Sequence, residues 1–227
     1  MAKKKHVRPQ RKLQQKFTVY CEGDTEENYL KGLKTWFSKN YPEIQLTIEP
    51  IPIGGGGYSE FIKAVESAPD SNCLARFILL DYDRCLQYES ERKVLQKLVD
   101  LSKASIKKRV PVIIILSNGS FEYPLCCHDP RYSNGDEARF LHDMWGYKDL
   151  SDVKGDDKIW DVAHRDGRGH DVAIEKLARR PKLMVNRFTR QHAGLSINLS
   201  DVKLDKDNEA GRSSNLPDLF KAMGVSS

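Results

Sequence analysis

Four carboxylates of this chain come shortly after runs of apolar, strand-forming residues: Glu22, Asp81, Asp83 and Glu122. Hydrophobic packing does not explain acids at such places, whereas open α/β sheets bind their ligands at the carboxyl ends of their strands. Asp81 and Asp83 have one residue between them, so the period-2 geometry of a strand puts both on one side. Like charges that close repel unless a cation or a base neutralises them, and hard divalent ions such as Mg²⁺ prefer carboxylate oxygens. The spacing therefore predicts a divalent-cation site.

Each of these acids, taken alone, also fits a solvated side chain in an ordinary turn. Their coincidence at three predicted strand ends is more specific, because parallel strands of one sheet end at the same edge. The acids at three predicted strand ends therefore favour a metal site.

The first acid, Glu22, follows a predicted strand and is followed by Gly23, which allows a sharp turn and close approach to the backbone. Asp24 or Thr25 is expected to cap the next helix, with Glu27 in a capping box. The carboxylate of Glu22 is thus expected at the tip of a strand.

Up to residue 135, predicted strands alternate with predicted helices. The strands are expected over 17–21, 44–53, 75–80 and 110–116, and the helices over 24–40, 59–68, 89–106 and 123–128. This alternation predicts a mostly parallel sheet with right-handed crossovers. The predicted fold class is therefore α/β, with a four-stranded, mostly parallel sheet flanked by helices.

Four consecutive glycines, Gly54 to Gly57, precede the second predicted helix. A glycine run before a helix can cradle a phosphate. The run lacks the lysine of a P-loop and does not match the dinucleotide fingerprint, so a flexible connection between strand and helix is the favoured interpretation.

The C-terminal part has a different pattern. Helices are expected over 137–145, 157–163, 172–177, 183–188 and 216–223, with a polar loop over 196–214. The predicted organisation is a basic N-terminal arm (1–16), an α/β domain (17–135) and a helical C-terminal extension (136–227).

Basic residues are concentrated in two places. The arm contains seven basic residues and no acid: Lys3, Lys4, Lys5, Arg8, Arg11, Lys12 and Lys16. Arg179 and Arg180 lie in a second basic section. Because the whole chain carries +5, the rest of it has a small negative net charge. Both sections fit either nucleic-acid contacts or solvated, solubilising surface.

Composition excludes several classes of protein. A chain of 227 residues can bury one good core. It has no apolar run of about 18 residues that would span a membrane, and its first residues lack the apolar segment of a secretory signal. The five cysteines form no CxxC pair, which disfavours structural zinc. A reducing cytoplasm is therefore the expected location.

Three segments resemble motifs of the RloB-like proteins, a branch of the Toprim fold: 21–26, 81–83 and 117–122. Gly146-Tyr147-Lys148 resembles the Gly-Tyr-x-Lys segment of the same family. The resemblance spans roughly residues 16 to 150. The chain departs from the family pattern at 119–120 and 123–124, although no carboxylate is lost. The segment 213–215 resembles the family's terminal motif only weakly.

The resemblance implies a Mg²⁺- or Mn²⁺-dependent nuclease of an anti-phage, abortive-infection system with an ABC-type ATPase partner. In that case Glu22 is the Toprim glutamate, and Asp81 and Asp83 are the metal ligands of the Asp-x-Asp motif. Glu26 and Glu122 correspond to further acids near a second metal. Lys148 is then a candidate for stabilising charge on the phosphate.

Two other functions stay open at this point. One is a non-catalytic Toprim-like adaptor that docks on the ATPase and relays a signal. The other is a phosphatase or synthetase that uses the same acids on a small molecule, which the basic sections disfavour. The sequence does not distinguish DNA from tRNA or other RNA as substrate, and it is compatible with a homo-oligomer.

The arm has a direct test. If residues 1–16 contact phosphates, removal of their seven basic residues should weaken nucleic-acid affinity and flatten its salt dependence, because fewer counterions are released on binding. Binding titrations at several salt concentrations measure both quantities. Equal affinity and equal slope after truncation would mean that the arm is only a solubilising tail.

Overall fold

The computed structural model describes residues 15–191 and 196–225. The first part of the chain consists of β1 (Gln15–Cys21), α1 (Asp24–Asn40), β2 (Leu46–Pro52), α2 (Tyr58–Ser67), β3 (Cys73–Asp81), α3 (Asp83–Gln87), α4 (Glu89–Ala104), β4 (Val112–Asn118) and α5 (Glu122–Cys126). The later part consists of α6 (Glu137–Phe140), a π-helical turn (Leu141–Trp145), α7 (Leu150–Gly155), α8 (Ile159–Val162), α9 (His170–Ala178), β5 (Met184–Gln191), β6 (Ser196–Leu204), a 3₁₀ turn (Lys206–Asn208), β7 (Ser213–Ser214) and α10 (Pro217–Met223). Within these ranges, no helix is both long enough and apolar enough to cross a membrane.

Five strands form the central sheet in the spatial order β2-β1-β3-β4-β7. The first four run parallel, and β7 pairs with β4 in the antiparallel direction. The predicted α/β class with a mostly parallel sheet is confirmed, whereas the predicted count of four strands is wrong because β7 adds a fifth. The chain passes from β1 to β2 on one side and then crosses to β3 on the other. The topological switch point therefore lies between β1 and β3, where such sheets form their ligand crevice.

The two central strands β3 and β4 are continuous hydrophobic runs. All residues of β4 are buried, and so are all residues of β3 except the last, which is Asp81. Strands covered on both faces favour this composition because neither side of the pleat faces water. Asp81 thus marks the place where a buried strand reaches a polar crevice.

The outer edge of β4 is satisfied by side-chain amides as well as by β7. Asn215 accepts a hydrogen bond from the backbone N–H of Leu116 at 2.7 Å and donates one to the carbonyl of Ile114 at 2.8 Å. Asn186 donates to the same carbonyl at 2.9 Å. Unpaired backbone groups on a strand edge are costly when buried. The segment around Asn215, only a weak match in sequence, therefore completes the sheet.

Two predictions for the C-terminal part are wrong. Residues 183–188, predicted as a helix, largely belong to β5, and residues 196–214, predicted as a loop, contain β6 and β7. In β5 the buried positions alternate as Met184, Asn186 and Phe188. Because Asn186 is polar, the hydrophobic pattern does not show the period of two, and the apolar residues alone fit the period of a helix.

An extra residue interrupts the alternating pattern of β6, so the sequence pattern does not indicate a strand. Its register with β5 shifts between Arg187 and Phe188, which leaves Ser200 as an extra residue in β6. The buried Leu199 and Val202 are therefore three positions apart, where regular alternation has two. The C-terminal extension is consequently a set of short helices with a β-hairpin, rather than helical throughout.

The short helices of the extension pack on the outer side of α1, which contacts α7 and α8. Trp160 of α8 meets Tyr29 of α1 edge to face, with 5.0 Å between the ring centroids. The Tyr29 hydroxyl in turn lies 3.0 Å from Nε2 of the buried His128. Gly32 makes this approach possible, because a Cβ there would overlap the first side-chain atoms of Trp160.

We expect Gly32→Ala to lower the free energy of unfolding by about 1–3 kcal/mol, the usual cost of overpacking. Helix propensity alone predicts the opposite sign, since alanine in a helix interior is favoured over glycine by about 1 kcal/mol. Urea denaturation followed by circular dichroism measures the difference. Gly155→Ala is the matched control, because Gly155 ends α7 and has nothing within 4 Å of an added Cβ. If both variants are stabilised alike, α8 does not depend on this close approach.

Candidate active site

The five predicted acids line one cavity of about 620 Å³ at the carboxyl edge of the sheet: Glu22, Glu26, Asp81, Asp83 and Glu122. Glu22 directly follows β1, Asp81 ends β3, and Glu122 begins the helix after β4. These three strands are neighbours in the sheet. The cavity therefore lies at the switch point, and the parallel topology brings together acids that are far apart in sequence.

Two basic side chains, Arg84 and Lys154, also line this cavity. Lys154 belongs to α7, and Asn28 of α1 donates a hydrogen bond at 3.4 Å to its backbone carbonyl. Lys148, the lysine predicted from the family resemblance, is exposed before α7 and lies outside the residues that form the cavity. Sequence reasoning missed both basic residues, because only the folded position of α3 and α7 brings them here.

The Asp-x-Asp segment is held to the end of β4 by the backbone. The N–H of Tyr82 donates to the carbonyl of Ser117 at 2.8 Å, and the N–H of Asp83 donates to the carbonyl of Gly119 at 3.2 Å. Gly119 has a φ of 104°, a conformation that other residues adopt only with strain. The turn after β4 therefore requires glycine and fixes Asp83 relative to it.

Arg84 stands between two carboxylates. Its guanidinium lies 3.4 Å from Glu22 and 3.3 Å from Glu91. Glu91 also accepts a hydrogen bond from the backbone N–H of Tyr58 at 3.1 Å. Gly57 has a φ of 80°, and a Cβ there would collide with the Glu91 carboxylate. The glycine run thus lets the start of α2 approach the Arg84–Glu91 pair, and the structure places it outside the cavity itself.

Glu26 has a structural task besides its place in the cavity. The N-cap of α1 is Gly23, and no side chain caps it, which corrects the predicted caps Asp24 and Thr25. Glu26, rather than the predicted Glu27, occupies the third helical position, and its carboxylate lies beside the backbone of Gly23. This is the acid half of a capping box. Glu26 therefore fits both a helix cap and a metal ligand.

Burial and mutual repulsion raise the pKa values of three of these acids. Burial first, and then the charges of Glu122 and Glu22, raise the pKa of Glu26 to about 7. The pKa of Asp81 is raised well above its usual range by burial and by the surrounding carboxylates. Burial also raises the pKa of Glu22, although Arg84 opposes the shift. The cavity thus holds more negative charge than its surroundings neutralise.

The donor set fits a hard divalent cation. One carboxylate oxygen of Glu22 (Oε2) and the hydroxyl of Thr25 are buried without a hydrogen-bond partner, and both residues line the cavity. Within residues 15–191 and 196–225, however, no three His, Cys, Asp or Glu side chains are already arranged as ligands of one metal. The ion pair with Arg84 is one physical reason, because it holds the Glu22 carboxylate towards α3.

The predicted nucleic-acid contacts are not brought to this cavity by the described part of the chain. Arg179 and Arg180 follow α9 and line a separate cavity together with Lys176, and Arg179 also pairs with Glu175. Lys16, assigned to the arm, lies in β1 and pairs with Glu49 of β2 at 2.6 Å. The other predicted arm residues lie outside the described residues: Lys3, Lys4, Lys5, Arg8, Arg11 and Lys12.

The raised pKa of Glu26 predicts a pH-dependent stability. Between about pH 4.5 and pH 7 the folded protein binds this proton more tightly than the unfolded chain, so the free energy of unfolding falls as the pH rises. Glu26→Gln removes the charge and keeps a side chain suited to the capping box. We expect the variant to be more stable than the parent above pH 7, by on the order of 2 kcal/mol. The difference should vanish below about pH 4.5, the value for an unperturbed glutamate.

Denaturant titrations at several pH values measure this difference. Glu27→Gln is the control, because Glu27 is the next residue but pairs with Lys31 on the outer face at 2.9 Å. Because the lysine is exposed and the pair lies one helical turn apart, it contributes less than about 1 kcal/mol. A parent and a Glu26→Gln variant with the same pH profile would show that the cavity does not destabilise the charged form of Glu26.

No family model, no curated protein and no solved structure matches this chain.

Proposed function

We propose that this chain is a metal-dependent phosphodiesterase of the Toprim type that hydrolyses nucleic acid. The observation that carries the proposal is the convergence of five carboxylates from the ends of three adjacent parallel strands on one cavity. Solvated acids in unrelated turns would not be expected to line the same cavity. The resemblance of the same segments to RloB-like proteins supports the same chemistry.

Glu22, Asp81 and Asp83 would hold a Mg²⁺ or Mn²⁺ ion, and Glu26 and Glu122 would contribute to a second position. Such an ion lowers the pKa of water and offsets negative charge on the phosphate. The buried, unpartnered oxygen of Glu22 and the raised pKa values of its neighbours support this assignment. A cation would relieve the repulsion that the protein itself leaves uncompensated.

The chain's own side chains would bind and orient the substrate. Arg84 and Lys154 are the two basic side chains of the cavity, and they would attract a phosphate group. When Glu22 turns towards a cation, its partner Arg84 becomes available to the phosphate. Alternatively, a Glu22 that does not ligate the cation would accept a proton from the attacking water, which requires a carboxylate with a pKa nearer neutrality than usual.

A non-catalytic adaptor is the second candidate. Two observations favour it: Glu22 is paired with Arg84, and the described residues contain no preformed set of three metal ligands. In this function the cavity acids would be structural charges, and the chain would act by docking on an ATPase. The family resemblance makes an ABC-type ATPase and an anti-phage, abortive-infection role part of either proposal.

The decisive experiment is cleavage of mixed DNA and RNA by the purified chain with Mn²⁺. Glu22→Gln and Asp81→Asn should each lower the rate on the order of 10²-fold or more, because they remove the charge that ligation or proton transfer requires. Circular dichroism should show that both variants are folded like the parent. Calorimetry should show Mn²⁺ binding that Asp81→Asn abolishes.

Glu27→Gln is again the control and should cleave at the parent rate, because Glu27 lies next to the site but faces Lys31. A parent that neither binds Mn²⁺ nor cleaves any nucleic acid would contradict the enzyme. If Glu22→Gln also kept the parent's protection of cells against phage, the adaptor would be favoured.

A further inference from the structure

We infer that the substrate enters as an unpaired, single-stranded segment and that Tyr88 stacks on one of its bases beside the acid cavity. This inference rests on the proposed function and adds to it a substrate form and a specificity-determining residue. Its basis is a second cavity that adjoins the first, together with the exposed apolar side chains between them.

The second cavity, of about 380 Å³, lies on the other side of α3. It shares Asp83 and Ser120 with the acid cavity, so the two meet at the end of the Asp-x-Asp segment. Leu86 lines the second cavity, and Tyr88 lines the first. A polymer that crosses Asp83 would therefore occupy both cavities, one on each side of the reacting phosphate.

Exposed large apolar side chains are rare in the described part of the chain and are concentrated here. Tyr88 is 55% exposed and Leu86 is 58% exposed, and the third such residue is Met144 at 37%. Two of the three lie within one short segment at the rims of the two cavities. An exposed aromatic beside a charged crevice is poorly explained by packing and suits a binding surface.

The backbone of Tyr88 is fixed from both sides. Its N–H donates to the carbonyl of Arg84 at 2.8 Å, and its own carbonyl accepts from the N–H of Glu91 at 3.1 Å. Tyr88 thus joins the end of α3 to the start of α4, next to the ion pair of Arg84 and Glu91. A ring on such a fixed junction can serve as a stacking platform with little loss of conformational freedom.

Single-stranded nucleic acid matches this arrangement of charge and aromatic surface. Base–aromatic stacking needs a base face that a duplex already uses for its own stacking. Arg84 and Lys154 in the first cavity and Arg212 in the second supply cationic groups near a backbone that crosses Asp83. A small phosphorylated molecule would use the first cavity only and would leave Leu86 exposed and Arg212 in its ion pair with Glu137.

The test is binding, measured separately from cleavage. Fluorescence anisotropy with labelled oligothymidylate and oligouridylate, each alone and annealed to its complement, is recorded with Ca²⁺ in place of Mn²⁺. We expect the single strand to bind more tightly than its duplex. Tyr88→Ala should weaken binding about tenfold for whichever of the two single strands the parent binds more tightly. Tyr88→Phe keeps the aromatic ring and should bind that strand like the parent.

Met144→Ala is the matched control, since it removes another exposed apolar side chain that lies outside both cavities. It should bind like the parent. The parent should quench the fluorescence of a 2-aminopurine base placed in the strand, and Tyr88→Ala should quench it less. A merely structural role of Tyr88 would not produce this difference.

Equal binding by Tyr88→Ala and the parent, or equal binding of single strand and duplex, would overturn this inference even if the parent cleaves with Mn²⁺. A parent that binds single strands through Tyr88 but cleaves nothing would overturn the proposed hydrolysis and retain the stacking role. The two failures are therefore distinguishable.

Discussion

Mutual repulsion among carboxylates is the constraint on which the carboxyl edge of this sheet depends. The parallel topology brings Glu22, Asp81 and Glu122 to one cavity because β1, β3 and β4 are neighbours. Burial strengthens the repulsion, since it removes the water that would screen it. Only part of this repulsion is offset, by the positive charge of Arg84 beside Glu22 and by the raised pKa of Glu26. Part of the repulsion therefore remains at this edge and lowers its stability.

The rest of the architecture holds that edge in place. Backbone hydrogen bonds from the Asp-x-Asp segment to the carbonyls of Ser117 and Gly119 fix two strand ends relative to each other. On the outer side of α1, the close approach of Trp160 at Gly32 fixes the short helices, one of which carries Lys154. The C-terminal part thus belongs to the site as well as to the fold, because it supplies a cavity cation and completes the sheet.

Much of the α/β part was predictable because its elements have strong local patterns. Uninterrupted apolar runs marked β3 and β4, and the order of acids after them located the cavity. The hairpin of β5 and β6 escaped because Asn186 faces inward and Ser200 adds an irregular residue. Arg84 escaped for another reason: its ion pair with Glu22 joins residues 62 positions apart, and no local spacing encodes that contact.

The amide of Asn215 has a consequence for the order in which the molecule is assembled. It pairs with the backbone of β4 at Leu116, 99 positions earlier in the chain. During synthesis from the N-terminus, β4 emerges long before its edge partner. Contacts of such long sequence separation form late and slow folding, and an open edge meanwhile invites pairing with other chains. The end of β4, where the acid cavity lies, therefore acquires this support only after the segment around Asn215 has docked.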